Sequence, residues 1–275
     1  MASDKKESCG LFGIYGDPDA VQKTYFGLYS LQHRGQESAG IASSDGEFIQ
    51  CYKGMGTVGR VFRKGRLSLE KLTNPIAIGH VRYSTTGSSK AMNSQPLLSE
   101  YSRGQVAVAH NGNLINASLL RDEYEAYGSI FKSTNDTEII THLLAKPTHI
   151  SKADMLAHVL NHLQGAYCLL FLFADRIEAA RDPYGIRPLC IGQTENGSYV
   201  VASERCAIDT IGAEFIREVE PGEIVTLDKR GLTSRFFVKP GTTIPAHCIF
   251  EHIYFAKQNS VFFGESVHEI RKKLG

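Results

Sequence analysis

The sequence lacks long apolar runs, a secretory leader and an excess of charge of either sign. No stretch approaches the roughly 20 apolar residues that a transmembrane helix needs, which argues against a membrane partner. The first eight residues, MASDKKES, are polar and have no apolar core typical of a signal peptide, so we expect a cytoplasmic protein. The net charge of +1 at pH 7 argues against nucleic acid as a partner, because such proteins usually carry a basic excess.

The sequence also lacks any C-x-x-C pair, although it contains six cysteines. Their wide spacing predicts neither a disulfide scaffold nor a structural zinc site. Four of them lie in apolar or strand-like runs and are expected to be small buried thiols, namely Cys51, Cys168, Cys190 and Cys206. The surroundings of Cys9 and Cys248 differ and lead to other expectations.

The composition is that of a globular protein, with 42% hydrophobic and 21% charged residues in a chain of 275. A glycine-rich strand at 9–16 is followed by a helix that starts near Asp17 and Pro18 and places Val21, Tyr25, Leu28 and Tyr29 on one face. The pair Asp45-Gly46 predicts a hairpin. Further helices are predicted near Asn116, in STNDTEII and from Ser151–Asp154 onward.

From Ala166 to about Pro240 every segment has a strand pattern, and the chain then ends on a basic helical stretch with no evident packing partner. Strands with two apolar faces and two groups of helices predict sheets that are covered on both sides. We therefore expect an α+β fold in which two mainly antiparallel sheets lie between helix layers, a four-layer αββα sandwich.

Cys9 is a candidate nucleophile because it stands at the head of the first strand, behind only the short polar leader. A cysteine hydrolase needs a base, and none of the ten histidines can be paired with a cysteine from sequence alone. The α-amino group is an alternative base, with an ordinary pKa of about 7.7–8.0. It serves only if residues 1–8 are removed, so that thiol and amine share one residue.

Several motifs surround this cysteine in sequence. They are CGLFGIYG at 9–16, LQHRGQESAGI at 31–41, GHVRYSTTGSS at 79–89, QPL at 95–97, AHNGNLINA at 109–117, STNDTEII at 133–140, RDPYGIRPLCIG at 181–192, EVEPGEIV at 218–225 and CIFEHIYFA at 248–256. In this order they resemble the N-terminal-nucleophile (Ntn) class of glutamine amidotransferases, and within it the amidophosphoribosyltransferase family. The resemblance extends over nearly all of the chain from Cys9 onward.

The resemblance implies a catalytic set of Cys9, Asn111 and Gly112. In it the Asn111 side-chain amide and the Gly112 backbone N–H form the oxyanion hole, where a side chain at 112 would block the approach. Taken without the family, Asn-Gly would be read as a plain hairpin turn.

The resemblance also implies how the substrate is held. Arg82 would bind the α-carboxylate of glutamine and Asp136 its α-ammonium group, although Asp136 also suits the start of a helix. Arg34 and Gly35 are expected beside the site in a loop that closes on substrate. The hydroxyls of Tyr83, Thr85 and Thr86 are expected to line the site, whereas His33, His80 and His110 are expected to be structural.

For domain organisation, the resemblance implies a removable propeptide at 1–8, a glutaminase domain at 9–245, and a linker with the start of a phosphoribosyltransferase domain at 246–275. The phosphate-binding loop of that second domain is absent from the sequence. The chain is therefore expected to be a fragment, as its abrupt end suggests, or a free-standing glutaminase. Lys257, Gln258 and Asn259 replace the family's usual Arg-Pro-Asp near the hinge, which puts the coupling of the two activities in doubt.

The expected partner is glutamine, with phosphoribosyl pyrophosphate bound only through the missing domain. The full-length enzyme is expected to be a homo-oligomer that makes 5-phosphoribosylamine in the first step of purine biosynthesis. It would hold a [4Fe–4S] cluster, with Cys248 as one of four thiolates, and Mg²⁺, whereas this domain alone would need neither. Two alternatives stay open: a non-catalytic regulatory domain, and a related Ntn hydrolase that acts on another amide.

Overall fold

A computed structural model describes residues 9–63, 73–83 and 90–275. Within these ranges the chain forms fifteen β-strands and eight α-helices. The strands are β1 (Gly10–Tyr15), β2 (Ser38–Ser44), β3 (Ile49–Met55), β4 (Ile76–Arg82), β5 (Leu97–Tyr101), β6 (Gly104–Leu114), β7 (Gly165–Phe173), β8 (Ile177–Arg181), β9 (Cys190–Gln193), β10 (Tyr199–Ala202), β11 (Glu214–Glu218), β12 (Glu223–Asp228), β13 (Gly231–Phe236), β14 (Val261–Phe262) and β15 (Glu265–Ser266). The helices are α1 (Ala20–Ser30), α2 (Val58–Val61), α3 (Ala117–Ala126), α4 (Thr137–Ala145), α5 (Pro147–Ile150), α6 (Met155–Leu160), α7 (Arg205–Thr210) and α8 (Val267–Leu274). None of these helices is both long enough and apolar enough to cross a bilayer.

The strands form two large sheets whose pairings are antiparallel. The first sheet has the order β11-β9-β10-β1-β4-β2-β3, and the second has the order β13-β12-β8-β7-β6-β5. β1 is therefore a central strand of the first sheet and β6 an inner strand of the second. A short third ribbon pairs β14 with β15.

Alternate side chains of each strand enter different cores, as the two-residue period of a strand requires. On β1, Leu11 packs between the two sheets, whereas Phe12 and Ile14 pack against α1 and α7 on the outer face. On β7, Leu169 and Phe171 pack against α4 and α6 on the opposite outer face. Two sheets thus lie face to face between two helix layers, which confirms the expected four-layer αββα sandwich.

Several elements lie where their sequence patterns predict them. Asp45 and Gly46 form the turn between β2 and β3, and Gly46 has a φ of 105°, a conformation that favours glycine. The Asp154 carboxylate accepts a hydrogen bond of 3.0 Å from the Ala157 N–H, as an N-cap residue does. On α1, Val21 and Leu28 are buried as expected, but Tyr29 is exposed.

The expectation that residues 166–240 contain only strands is wrong, because α7 lies between β10 and β11. This helix has only six residues, and Cys206, Ala207 and Ile208 are buried in succession. A short helix with three consecutive buried residues has the same apolar run as a buried strand, so periodicity does not separate the two.

Residues 246–275 lie against the rest of the fold. The Ala246 and Cys248 N–H groups donate to the carbonyl oxygens of Tyr184 and Ile186, at 2.8 and 3.1 Å. A π-helical turn then spans Glu251–Phe255. The Arg271 side chain on α8 donates to the carbonyl oxygen of His252 in that turn, so the expectation of a basic helix without a packing partner is wrong.

Candidate active site

Three strand ends meet at Cys9. This residue directly precedes β1, where Gly10 pairs with Val81 of β4, so the end of β4 lies beside it. The Cys9 thiol donates to the Tyr83 carbonyl oxygen, with 3.8 Å between Sγ and O. The Cys9 backbone N–H donates to Oδ1 of Asn111 on β6, at 3.3 Å. The structure therefore brings Cys9 together with Asn111, Arg82 and Tyr83, each of which lies more than seventy positions from Cys9 in sequence.

The Cys9 thiol needs a base. Burial raises its pKa, and this effect outweighs the opposing influence of the Tyr83 carbonyl contact and of the nearby Arg82 and Arg34 charges. The thiol is therefore protonated near neutral pH, and a proton acceptor must form the nucleophilic thiolate.

The nearby histidines contact protein groups other than the Cys9 thiol. Burial lowers the pKa of His80 to about 3, so its imidazole is neutral, and its Nε2 contacts the His110 carbonyl oxygen at 3.0 Å. His33 contacts Glu204 at 2.7 Å. In the part of the chain that the structure describes, no histidine forms a hydrogen bond with the Cys9 thiol. The backbone nitrogen of Cys9 itself remains the candidate base, once it is an amine.

Asn111 presents a buried donor beside the nucleophile. Its Oδ1 accepts from the Cys9 N–H, which orients Nδ2 the other way, and Nδ2 is buried with no acceptor among the described residues. Leaving such a donor unsatisfied costs about 1–3 kcal/mol. A substrate oxygen would remove this penalty, and the oxygen that carries charge in the tetrahedral intermediate is the strongest acceptor available to it.

Gly112 is suited to the other half of an oxyanion hole. Its φ is 151°, and a Cβ at this position would overlap the Ala166 carbonyl oxygen, so only glycine fits. Along β6 alternate N–H groups point to the same side. The N–H groups of His110 and Leu114, on either side of Gly112, point to the side chains of Gln95 and Asp136 rather than to β7. The Gly112 N–H therefore points to the same side of β6 as these two N–H groups, away from β7.

Asp136 lies on this side of β6 and does not cap α4. Its side chain makes no capping bond to α4; instead Oδ2 accepts from the Leu114 N–H at 3.0 Å. Burial alone would raise its pKa, but His110, whose Nδ1 is 3.6 Å from Oδ1, and the backbone N–H groups lower it below the ordinary value. Asp136 is therefore an anion at neutral pH, held close to Gly112. Its predicted contact with a substrate ammonium group stays a prediction.

Arg82 ends β4 next to the nucleophile. Its side chain is almost fully buried, and Nη1 is 3.3 Å from Glu37 Oε1. A Cβ on Gly35 would overlap the Arg82 backbone, so the HRG loop crosses directly over this strand end. The structure thus places Arg82 and Gly35 beside the site as expected, with Glu37 as a neighbour that the motifs did not identify. Thr85, like Thr86, lies outside the described residues.

The Arg34 side chain contacts Cys9 and two buried carboxylates, and its predicted place in a loop that closes on substrate stays a prediction. Arg34 is fully buried, and its Nε donates to the Cys9 carbonyl oxygen at 2.8 Å. The rest of its guanidinium pairs with Glu204 at 2.7 Å and, in a bidentate manner, with Glu251 at 2.8 and 2.9 Å. Because protein groups occupy this side chain, we assign it to positioning Cys9 rather than to contacting substrate.

Glu251 and Glu204 are the residues of this network that the sequence analysis did not single out. Glu251 is fully buried in the π-helical turn, 217 positions from its partner Arg34. The one available signal was an acidic residue inside the aromatic run CIFEHIYFA, since a buried carboxylate requires a cationic partner. Because Glu251 lies in the segment 246–275, the expected linker helps to hold the nucleophile.

Cys248 does not fit a complete iron–sulfur site within this chain. Its Sγ accepts from Arg187 Nη1 at 3.5 Å. All six cysteines are described, all are free, and none joins Cys248 in a group of potential metal ligands. A [4Fe–4S] cluster needs four ligands, so Cys248 alone does not hold one. Among the described residues, no group of three or more potential metal ligands includes a carboxylate.

Comparisons with known proteins agree with this geometry. Residues 80–210 match the family model of a glutamine amidotransferase domain. The chain is 48% identical over 271 residues to a chloroplastic amidophosphoribosyltransferase of Glycine max, covering 98% of this chain and 47% of the relative. It is 46% identical to the amidophosphoribosyltransferase of Bacillus subtilis, covering 98% of this chain and 56% of the relative. The chain thus spans about half the length of the curated relatives it matches.

A solved structure gives the same result at the level of the fold. The glutamine phosphoribosylpyrophosphate amidotransferase of Bacillus subtilis, determined with ADP and GMP, superposes with a TM-score of 0.89 at 44% identity. The match covers 97% of this chain and 57% of that structure.

Proposed function

We propose, on the premise that this chain belongs to the amidophosphoribosyltransferase family through its glutamine amidotransferase domain, that it hydrolyses glutamine to glutamate and ammonia at Cys9. One observation carries the proposal: the buried Nδ2 of Asn111 has no acceptor among the described residues and lies on the amide that bonds to Cys9. A preorganised donor of this kind stabilises an oxyanion rather than a ground-state carbonyl.

The first half of the reaction forms a thioester. The Cys9 thiol gives its proton to the α-amino group of the processed chain, and its sulfur bonds to the side-chain amide carbon of glutamine. Asn111 Nδ2 and the Gly112 N–H receive the negative charge that develops on the amide oxygen. When the C=O bond re-forms, the C–N bond breaks and the nitrogen takes the proton from the α-ammonium group, so ammonia leaves.

The second half returns the enzyme to its starting state. A water molecule gives a proton to the α-amino group and adds to the thioester carbon, through a second oxyanion at the same two donors. The S–C bond then breaks, glutamate forms, and the Cys9 thiol regains its proton. One residue thus supplies both the nucleophile and the base.

For the longer protein we propose that the ammonia reacts with phosphoribosyl pyrophosphate to give 5-phosphoribosylamine. The similarity to amidophosphoribosyltransferases supports this assignment. A homo-oligomeric assembly, a cytoplasmic location, and a [4Fe–4S] cluster and Mg²⁺ outside the glutaminase reaction stay predictions for that protein.

The division into a propeptide at 1–8, a glutaminase domain at 9–245 and a linker at 246–275 also stays a prediction. The Arg34–Glu251 pair supports one refinement of it. Because Glu251 anchors the side chain that holds the Cys9 carbonyl, we propose that the glutaminase unit extends functionally at least to the π-helical turn.

The purified chain should release glutamate from glutamine without releasing pyrophosphate from phosphoribosyl pyrophosphate. The residues assigned to glutamine chemistry lie between Cys9 and Asp136, whereas the sequence contains no phosphate-cradling loop. Both products are measured in parallel assays, with the Cys9→Ala variant as the control for contaminating glutaminase. Pyrophosphate release by this chain would contradict the domain assignment, and the absence of Cys9-dependent glutamate release would contradict the proposed activity.

A further inference from the structure

Three histidines meet on the outer helix layer of the second sheet, away from Cys9. His149 lies in α5, His158 in α6, and His162 one turn beyond His158. Their ring centroids are 4.7 to 4.8 Å apart in all three pairings. One ring nitrogen from each residue lies within 4.8 Å of the other two. Neither the family motifs nor the glutaminase chemistry uses these residues.

Two of the rings are already oriented by backbone carbonyl groups. His149 Nδ1 is 3.0 Å from the Leu143 carbonyl oxygen of α4, and His162 Nδ1 is 2.8 Å from the His158 carbonyl oxygen. Each Nδ1–H donates there, which leaves Nε2 with its lone pair available. Metal-binding histidines are held in this way, because the outer hydrogen bond fixes both tautomer and ring direction.

We propose that His149, His158 and His162 form a binding site for one divalent transition-metal ion, such as Zn²⁺. An all-imidazole set suits Zn²⁺, Ni²⁺ and Cu²⁺ and disfavours Mg²⁺ and Ca²⁺, which prefer oxygen. Three protein ligands leave a fourth position for water. With Zn–N bonds of about 2.0–2.1 Å the nitrogens must approach more closely than 4.8 Å, so binding requires a small inward shift of the less buried His158 and His162 side chains.

The ion would join α5 to the end of α6, while the Leu143 carbonyl couples His149 to α4. The site is therefore one for stabilising the helix layer, not for catalysis. A metal ion that binds only the folded protein raises the free energy of unfolding. The increase grows with the logarithm of the ratio of metal concentration to Kd.

The test is a zinc titration of untagged protein in a Cys9→Ala background, because a free thiol also binds zinc. We expect one ion per chain and a higher melting temperature with zinc. His158→Ala and His162→Ala, both at accessible positions, should weaken binding by more than the roughly 10–100-fold caused by loss of an outer-shell partner. His268→Ala, an exposed histidine on α8, is the matched control and should bind zinc like the background protein.

Cobalt substitution identifies the ligands independently. Bound Co²⁺ should give visible d–d bands without the ultraviolet charge-transfer band of a thiolate ligand. A failure to bind zinc, an unchanged affinity in both cluster variants, or a thiolate band would each overturn the proposal.

Discussion

Replacing Asn111 with alanine should slow glutamine hydrolysis by about 100- to 1000-fold, as the loss of one preorganised oxyanion donor does. The KM for glutamine should change much less, because the charge that Nδ2 stabilises develops mainly in the transition state. The substitution also removes the acceptor of the Cys9 N–H, so it acts on nucleophile and oxyanion together.

Steady-state kinetics of two further variants separate these effects. Asn111→Asp keeps an acceptor for the Cys9 nitrogen but removes the donor, so its kcat should fall at least as far as that of Asn111→Ala. Asn196→Ala, in the exposed turn between β9 and β10, is the control and should retain the original kinetics. A large rise in KM with kcat unchanged would make Asn111 a binding residue and contradict its assignment.

Arg82→Ala and Asp136→Ala should each lower kcat/KM for glutamine by roughly 30- to 5000-fold. This range corresponds to the cost of about 2–5 kcal/mol for removing one partner of a buried charge pair, at 1.36 kcal/mol for each factor of ten. Arg82 ends β4 of the first sheet and Asp136 is bonded to β6 of the second, and from there we expect them to bind the two charged ends of a free amino acid.

The charge variants are compared with Arg205→Ala and Asp209→Ala, which break an ion pair between two exposed side chains on α7. These two control variants should leave kcat/KM for glutamine nearly unchanged, because surface ion pairs contribute at most about 1 kcal/mol. Cys9 should still react to completion with a small neutral alkylating agent in both site variants, which shows that the nucleophile is intact. Unchanged glutamine kinetics in both site variants would contradict the proposed clamp.

Local patterns predicted much of the fold. The glycine-rich strand CGLFGIYG and the turn at Asp45-Gly46 are decided by neighbours in sequence, and the structure has β1 and the β2–β3 hairpin at those places. The layered architecture followed from strands with two apolar faces. By contrast, α7 was missed because a six-residue helix with successive buried residues has no helical period to detect.

The motifs placed Cys9, Asn111, Gly112 and Arg82 in one site, and these residues do converge. They did not reveal what Arg34 contacts. Its pairing with Glu204 and Glu251 joins segments about 170 and 217 residues apart, and only the tertiary fold brings such charges together. A buried arginine needs carboxylate partners, but sequence alone does not say which acidic residues are buried.

The central claim is that Cys9 acts as an N-terminal nucleophile, and intact mass combined with glutaminase activity on the same sample tests it most directly. While Ser8 remains attached, the Cys9 nitrogen is a peptide nitrogen and does not accept a proton. The glutaminase rate should therefore rise in proportion to the fraction of chains whose mass begins at Cys9, and be zero when that fraction is zero. Full activity in a sample whose mass still includes MASDKKES would contradict the account.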